Sequence, residues 1–335
     1  MTEYPLVSVL AVCYNHARFV VECLDGIRNQ SYPNIEIIIV DDCSKDDSVA
    51  VINNWIKQHQ VECRFIAHSE NQGVCRTLND ALGHAQGKYI SLIATDDAWL
   101  PDKITRQVAI METMPETVGI LYSDAYQVDE NGQQLADMFI AAHCKCECMP
   151  EGFKPIPEGD ILERLIFANF IPAMTTLIRR SVYDKVGLYD ENLLYEDWDF
   201  WLRAANHFHF AYSDYPSANY RILSTSMMRT VLSNRNVRAE QTFFLINSKI
   251  LGMHGISQLS RSLTVERLSS NARFMYTMNH PDASSALFAS FTATREFLDL
   301  YFSLLAFIGI SENRYHRIKD YLQWRLSGFL SLLKK

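Results

Sequence analysis

Four short, nearly all-apolar runs recur at a steady beat through the first hundred residues, with amphipathic stretches between them. No other feature of the chain constrains its fold so strongly. Val7–Val12, Ile35–Val40, Cys63–Ala67 and Tyr89–Ala94 each predict a strand, and Val7–Val12 reads as one buried in a parallel sheet. Phe19–Ile27 has helical spacing, with Phe19, Val20, Cys23, Leu24 and Ile27 on one side. Ser44, with Asp47 three residues on, predicts an N-cap for a helix through Ile56. Val74–Ala85 predicts another helix, and Pro101 opens one that runs to about Met114. Strands alternating with helices predict an α/β fold whose mostly parallel sheet carries helices on both faces.

The rhythm then changes. Gly119–Val128 predicts a strand, followed by a turn at Glu130-Asn131-Gly132. Residues 137–160 have no clear period and contain Pro150, Pro155 and Pro157, which predicts a loop. Thr175–Arg179 reads as a strand and Asp197–His207 as a helix. From Met227 onward the pattern is almost wholly helical, so a domain boundary is expected between residues 226 and 227. Charge divides at the same place. Residues 1–226 carry 17 Lys/Arg against 32 Asp/Glu, a net of −15, whereas residues 227–335 carry 14 against 7, a net of +7. An acidic body argues against nucleic acid as a partner. The longest uncharged apolar stretch, Leu300–Ile310, is short of the ~20 residues that a membrane span needs. No basic segment precedes the first apolar run, so a cytoplasmic, reducing setting is expected for the eight cysteines.

In an open parallel sheet, ligands bind beyond the carboxyl ends of the strands. Three predicted strands end there in informative residues: Cys13-Tyr14-Asn15, Asp41-Asp42-Cys43-Ser44 and Thr95-Asp96-Asp97. Paired acids at two strand ends suit a divalent cation and a nucleotide, because a carboxylate oxygen coordinates Mg²⁺ or Mn²⁺ and another accepts the imide N–H of a uracil-type base. Acids also cap the helices that follow strands, which is the plainer reading of each pair alone. CYNHARF has no glycine, against a sugar nucleotidyltransferase, and no G-x-G-x-x-G follows a strand, against a nicotinamide-dependent oxidoreductase.

The pieces VSVLAVCYN, ECLDGIRNQSYPNIEIIIVDDCSKD, NQGVCRTLNDALGHAQGKYISLIATDDAWLPDKI and VGLYDENLLYEDWDFWLRAA, in this order, resemble the family 2 glycosyltransferases of the bacterial surface-polysaccharide type. The resemblance covers roughly residues 5–226 and implies a GT-A fold, with a nucleotide-binding half over 1–115 and an acceptor-binding, catalytic half over 116–226. It implies that Tyr14 lies against the base near the Val12 backbone, and that Asp42, beside Asp41, accepts from the base. Asn71 to Asn79 would line the nucleotide, and Thr95 would lie beside it. Asp96 matches the last acid of the family's D-x-D element and is the implied metal ligand, although Ala94 replaces the first acid. Tyr220–Ser226 resembles the family's R-x-H-x-x-S element: Arg221 and Ser226 remain phosphate candidates, and Leu223 replaces the histidine.

An inverting sugar transfer needs a base for the acceptor hydroxyl and neutralisation of the leaving diphosphate. Asp197 is the implied base, with Glu196 sharing its environment; by chemistry alone Glu196 and Asp199 are equally N-terminal. Trp198 and Trp201 are expected on a cleft wall, where aromatic faces suit sugar C–H surfaces. Asp97, Trp198 and Met174 are the sugar or acceptor candidates. The implied activity moves a hexosyl or N-acetylhexosaminyl group from a nucleoside-diphosphate sugar, with UDP the first choice, to a glycan or lipid-linked glycan. The alternative, favoured by Ala94 and Leu223, is a non-catalytic sugar-nucleotide binder or scaffold subunit.

Two further features stand outside the resemblance. Cys144, Cys146 and Cys148 sit at alternate positions; structural zinc sites more often use C-x₂₋₄-C spacing, and no second Cys/His pair lies nearby in sequence. In 312–335, basic Arg314, Arg317, Lys319 and Arg325 interleave with Tyr315, Tyr321, Trp324 and Phe329. Such a segment suits a helix on the inner face of an anionic membrane, or one docked on its own domain or on a second subunit in a homodimer.

Overall fold

The computed structural model describes residues 4–144, 158–224, 236–312 and 314–317. The chain divides into two compact units, Met1–Thr230 and Val231–Lys335. In the first unit, β1 (Val7–Cys13), β2 (Ile35–Asp41), β3 (Arg64–Ala67) and β4 (Tyr89–Ala94) are parallel and alternate with α1 (Val20–Arg28), α2 (Ser48–His59) and α3 (Val74–His84). All seven residues of β1 are buried, as expected of a strand covered on both faces. α1 turns Val20, Cys23, Leu24 and Ile27 inward, the spacing that its sequence predicts.

β1 lies between β2 and β4, with Val12 opposite both Val40 and Ala94. From β1 the chain steps outward to β2 and β3 and then crosses back to β4 on the other side of β1, so the strand order reverses there and a crevice opens at the carboxyl ends. Beyond β4 the sheet continues through β5 (Ala98–Trp99), β6 (Val118–Val128), β7 (Gln134–Met138), β8 (Leu177–Arg179) and β9 (His209–Arg221). Its order is β3-β2-β1-β4-β8-β6-β9-β5, with β7 beside β6, and β8 runs antiparallel to both β4 and β6. Thirteen-residue β9 pairs in parallel with β6 and returns the chain to the rim that β4 ends on.

Several elements differ from expectation. α2 begins at Ser48, because the Ser44 hydroxyl is spent on Asp41 and on the Asn15 N–H. Part of the expected 137–160 loop is regular: β7 is followed by α5 (Phe139–Cys144), with Ile140 buried. The helix after Pro101, α4, spans only Lys103–Met111, and Ala173–Thr175 is a 3₁₀ turn before β8. α6 (Leu162–Phe167), α7 (Arg180–Val186) and α8 (Asp197–Ala205) complete this unit.

The second unit is helical over Val237–Leu251, Gln258–Thr277, Ala283–Thr294 and Phe297–Phe307. Asn236 and Ser257 cap the first two, accepting from the Ala239 N–H at 2.8 Å and the Ser260 N–H at 3.1 Å. Phe244, Leu268, Met275, Tyr276 and Leu287 form its core. Among the described residues, no helix is long and apolar enough to cross a membrane.

Candidate nucleotide-sugar site

The rim is built from the residues that follow β1, β2 and β4. Tyr14 leaves β1 as an exposed residue, 42% accessible. Asn15 takes a positive φ of 58°, accepting the Lys45 N–H at 2.6 Å and donating its own N–H to Ser44 Oγ at 2.8 Å. Asp41 is fully buried, and both its oxygens accept from Ser44, so it fixes the turn after β2 and presents no oxygen to the rim surface. The Val12 carbonyl accepts the Thr95 N–H at 2.9 Å, which carries the β1–β4 pairing past the end of β4.

Asp42 gathers the next loop. Its Oδ1 accepts the Gln72 N–H and its Oδ2 the Gly73 N–H, each at 2.8 Å, while Asn71 Nδ2 donates to its carbonyl at 3.2 Å. Gly73 sits at φ 86°, where a side chain would be strained. His68 Nδ1 lies 3.0 Å from Asp42 Oδ1, and its Nε2 lies 3.1 Å from Asp80 Oδ2. Burial alone would lower the His68 pKa, but the bonds to Asp42 and Asp80 outweigh it and raise it above the ordinary value. Asn79, one turn into α3, is fully used in holding another segment: it accepts the Tyr189 N–H and donates to the Tyr189 carbonyl, both at 2.9 Å.

At the end of β4 the acids separate in role. Asp96 is partly exposed, and His16 Nε2 lies 3.7 Å from its Oδ2. The other ring nitrogen of His16 meets Oγ1 of fully buried Thr95 at 3.0 Å. Asp97 is buried and accepts the Arg221 N–H at 2.8 Å; burial, then the charge of Asp96, push its carboxyl well above the usual range. Arg221 is itself 3% exposed, donating to the Asp96 and Asp129 carbonyls at 2.9 and 3.1 Å and to Glu22 Oε2 at 2.6 Å. Its guanidinium lies 4.8 Å from the Phe19 ring centroid. The expected phosphate contact is thus, in this structure, a buried tie between β9 and the rim. Leu223, in the place of the family's histidine, is buried, and Ser226 lies outside the described residues.

Asp197 opens α8. Its Oδ2 accepts from Asn169 Nδ2 at 2.7 Å, and its Oδ1 accepts the Trp198 N–H at 2.7 Å. Asn169 Oδ1 is buried without a protein partner. Burial and the charge of Asp197 push Glu196 up to about 8. Tyr220, on β9, packs edge-on against Phe139, and burial, then the charges of Asp97, Asp96 and Asp197, raise its phenol. The expected aromatic wall is corrected. Trp198 is 7% exposed and its indole donates to the Leu165 carbonyl at 2.7 Å, while Trp201 is fully buried. Met174 is also a core residue, and its carbonyl accepts from Trp99 Nε1 at 2.8 Å. Both α8 indoles serve packing, so neither face is open to a sugar.

His16, His68, Asp80, Asn169 and Tyr220 carry no local sequence signal for these places. Among the described residues no group of three or more His, Cys, Asp or Glu side chains could hold a metal ion. A metal here would rely on Asp96, with His16 beside it. One carboxylate at an open rim fits Mg²⁺ or Mn²⁺, which fill their shells from phosphate and water, and a nearby imidazole suits Mn²⁺ better than Mg²⁺. Cys13, Cys23, Cys43, Cys63 and Cys75 are free thiols, whereas the side chains of Cys144, Cys146 and Cys148 lie outside the described residues.

A sheet with a switch point beside β1 and acids at two strand ends defines a nucleotide-binding α/β protein. The glycosyl transferase family 2 model matches residues 8–187, and the chain belongs to that family. It is 30% identical over 200 residues to the uncharacterized glycosyltransferase RP339 of Rickettsia prowazekii, covering 59% of this chain and 58% of that protein. It is 27% identical over 247 residues to the putative teichuronic acid biosynthesis glycosyltransferase TuaG of Bacillus subtilis, covering 73% and 89%. The chain spans between 28% and 59% of the length of five Rickettsia relatives. The fold is that of S. aureus TarS 1-349 in complex with UDP, with TM-score 0.60, 18% identity and coverage of 95% and 91%. It is shared with the mannosyltransferase PcManGT of Pyrobaculum calidifontis in complex with GDP-Man and Mn²⁺, with TM-score 0.55, 17% identity and coverage of 94% and 83%. The fold class is therefore GT-A.

Proposed function

We propose that this chain is an inverting glycosyltransferase that moves a hexosyl or N-acetylhexosaminyl group from a UDP-linked donor to a hydroxyl of a glycan or lipid-linked glycan. The observation that carries the reading is the convergence of exposed Tyr14, loop-anchoring Asp42 and partly exposed Asp96 at the carboxyl ends of three adjacent parallel strands. UDP bound to TarS and GDP-Man with Mn²⁺ bound to PcManGT support a nucleotide-linked donor on this fold. TuaG, named for teichuronic acid, supports a cell-envelope glycan as the acceptor class.

In this reading Tyr14 stacks on the base, and Asp42, whose Oδ2 has a free lone pair beside the Gly73 N–H, accepts from the ring imide. Asp96 and His16 would hold the metal, which when bound neutralises charge on the departing diphosphate. Asn169 and the Trp198 N–H hold the Asp197 carboxylate in one orientation, from which it takes the proton of the acceptor hydroxyl. Burial and the neighbouring Asp197 raise the Glu196 carboxyl to about 8, which favours its protonated form near neutral pH.

The test is release of UDP from UDP-glucose, UDP-galactose and UDP-N-acetylglucosamine by the purified chain with Mn²⁺. One of them should be hydrolysed slowly, and Asp197→Asn should lose that turnover while keeping UDP affinity, because a base acts chiefly in the transition state. UDP binding without hydrolysis of any UDP-sugar would instead support the non-catalytic binder or scaffold subunit.

A further inference from the structure

Between α7 and α8 the chain forms neither helix nor strand, so the place of residues 187–196 is set by what their polar groups bond to. The middle of this segment is gripped by α3. Asn79 accepts the Tyr189 N–H and donates to the Tyr189 carbonyl, both at 2.9 Å, as a neighbouring strand would. Its amide also donates to Glu191 Oε1 at 3.1 Å, and Arg76 Nε donates to Glu191 Oε2 at 3.0 Å. The Cys75 thiol donates to the Leu193 carbonyl at 3.6 Å. Burial, then the charges of Glu196, Asp190, Asp199 and Asp197, push that thiol up, so the acids that open α8 lie near the first turn of α3. The same turn starts from Gly73, whose N–H is held by Asp42. α3 packs on β1 and β2 with Cys75, Leu78, Ala81 and Leu82 buried, which fixes the helix itself.

One helix thus carries the nucleotide loop at its start and the segment leading into Asp197 along its side. We propose, on the roles given above to Asp42 and Asp197, that Arg76 and Asn79 are positioning residues for the transfer: through Glu191 and Tyr189 they set where Asp197 stands relative to a donor held at Asp42. A base acts only within hydrogen-bond reach of the proton it takes, and a misplacement of about 1 Å costs ~100-fold in rate. Slack in this clamp would therefore reach the base without loosening the nucleotide. Asn79, expected from the sequence to line the nucleotide, spends both ends of its amide on the clamp instead.

Initial rates of UDP-sugar hydrolysis with Mn²⁺, beside titration calorimetry with UDP, test the proposal on the full chain. Asn79→Ala should lower kcat by about 10- to 100-fold while KM and the Kd for UDP stay near wild type. Arg76→Glu sets like charges against Glu191 and should cost about tenfold in kcat; adding Glu191→Arg should restore it. Arg76 and Glu191 are 55% and 44% exposed, so exchanging them should move Tm by no more than about 4 °C, and the rescue reads position rather than folding. Variants that bind UDP and hydrolyse the sugar as wild type does overturn the proposal and leave the donor site standing. A loss in Arg76→Glu that Glu191→Arg does not restore overturns it as well, and a raised KM would then assign Arg76 to substrate contact. A wild type that binds UDP but hydrolyses no UDP-sugar removes Asp197 as base, and the positioning role falls with it.

Discussion

The Arg221 N–H donates to Asp97 Oδ1 at 2.8 Å, so the last residue of β9 is fastened to the turn that follows β4. One guanidinium N–H adds a bond to the Asp96 carbonyl in that turn, and two others tie β9 to the Asp129 carbonyl and to Glu22 on α1. Arg221→Ala should cost ~1–3 kcal/mol, since it removes the guanidinium's bonds to the Asp96 and Asp129 carbonyls and to Glu22. At roughly 2–4 °C per kcal/mol, the loss is visible in a melting curve. UDP affinity should fall with it, because the Asp96 turn loosens. Arg221→Lys should recover little, as one ammonium cannot reach three separated acceptors. A variant that melts and binds UDP as wild type contradicts this role.

Asp42→Asn keeps the shape of the side chain but leaves one acceptor oxygen for two backbone N–H groups and His68. The unsatisfied donor should lower stability by ~1–3 kcal/mol and free the 68–73 loop. Titration calorimetry should show UDP binding weakened by about tenfold, the worth of one good hydrogen bond to a charged group. Unchanged affinity would remove Asp42 from base recognition.

Glu196 supplies a pH test. Its carboxyl is raised from 4.5 to about 8 in the fold, by burial first and then by Asp197. Between those values the folded chain holds a proton that the unfolded chain has released. Stability from this group is therefore fully present below 4.5 and is lost as pH rises toward 8. Glu196→Gln should flatten that part of the Tm–pH curve and leave the alkaline side more stable than wild type. Parallel curves for the two proteins would contradict the shift.

Asn169→Ala removes the group that orients Asp197 through a 2.7 Å bond. A positioning role predicts a lower turnover number, by about 10- to 100-fold, with little change in KM, and a shifted acid limb in the pH–rate profile. Loss of donor binding in proportion to turnover would indicate a merely structural role instead.

The parallel half of the fold is legible because β1, β2 and β4 are short apolar runs, whereas β3 opens on exposed Arg64 and holds no buried residue; Tyr89–Ala94 forms a strand with the bounds its residues imply. Asp42 and Asp96 were legible for the same reason, as acids that follow such runs. Ser44 misled because a hydroxyl after a strand serves equally as a helix cap or as a turn donor to Asp41. Trp198 and Trp201 misled because a helix start does not reveal which face meets the core; α8 turns both inward. The supporting partners were out of reach: Asn169 lies 28 residues from Asp197, His68 lies 26 from Asp42 and His16 lies 79 from Thr95. Contacts over such spans leave no periodicity to find.

The central claim is a metal-assisted nucleotide site on the rim shared by Tyr14, Asp42 and Asp96. Thermal unfolding with UDP, GDP, dTDP, CMP and NAD, each with and without Mn²⁺, tests it most directly. A ligand at a hundredfold excess over its Kd adds ~2.7 kcal/mol to the folded state. A Mn²⁺-dependent rise with UDP is expected, which Asp96→Asn abolishes and Asp197→Asn retains. No shift with any nucleotide, or a UDP shift that ignores both Mn²⁺ and Asp96→Asn, would contradict it.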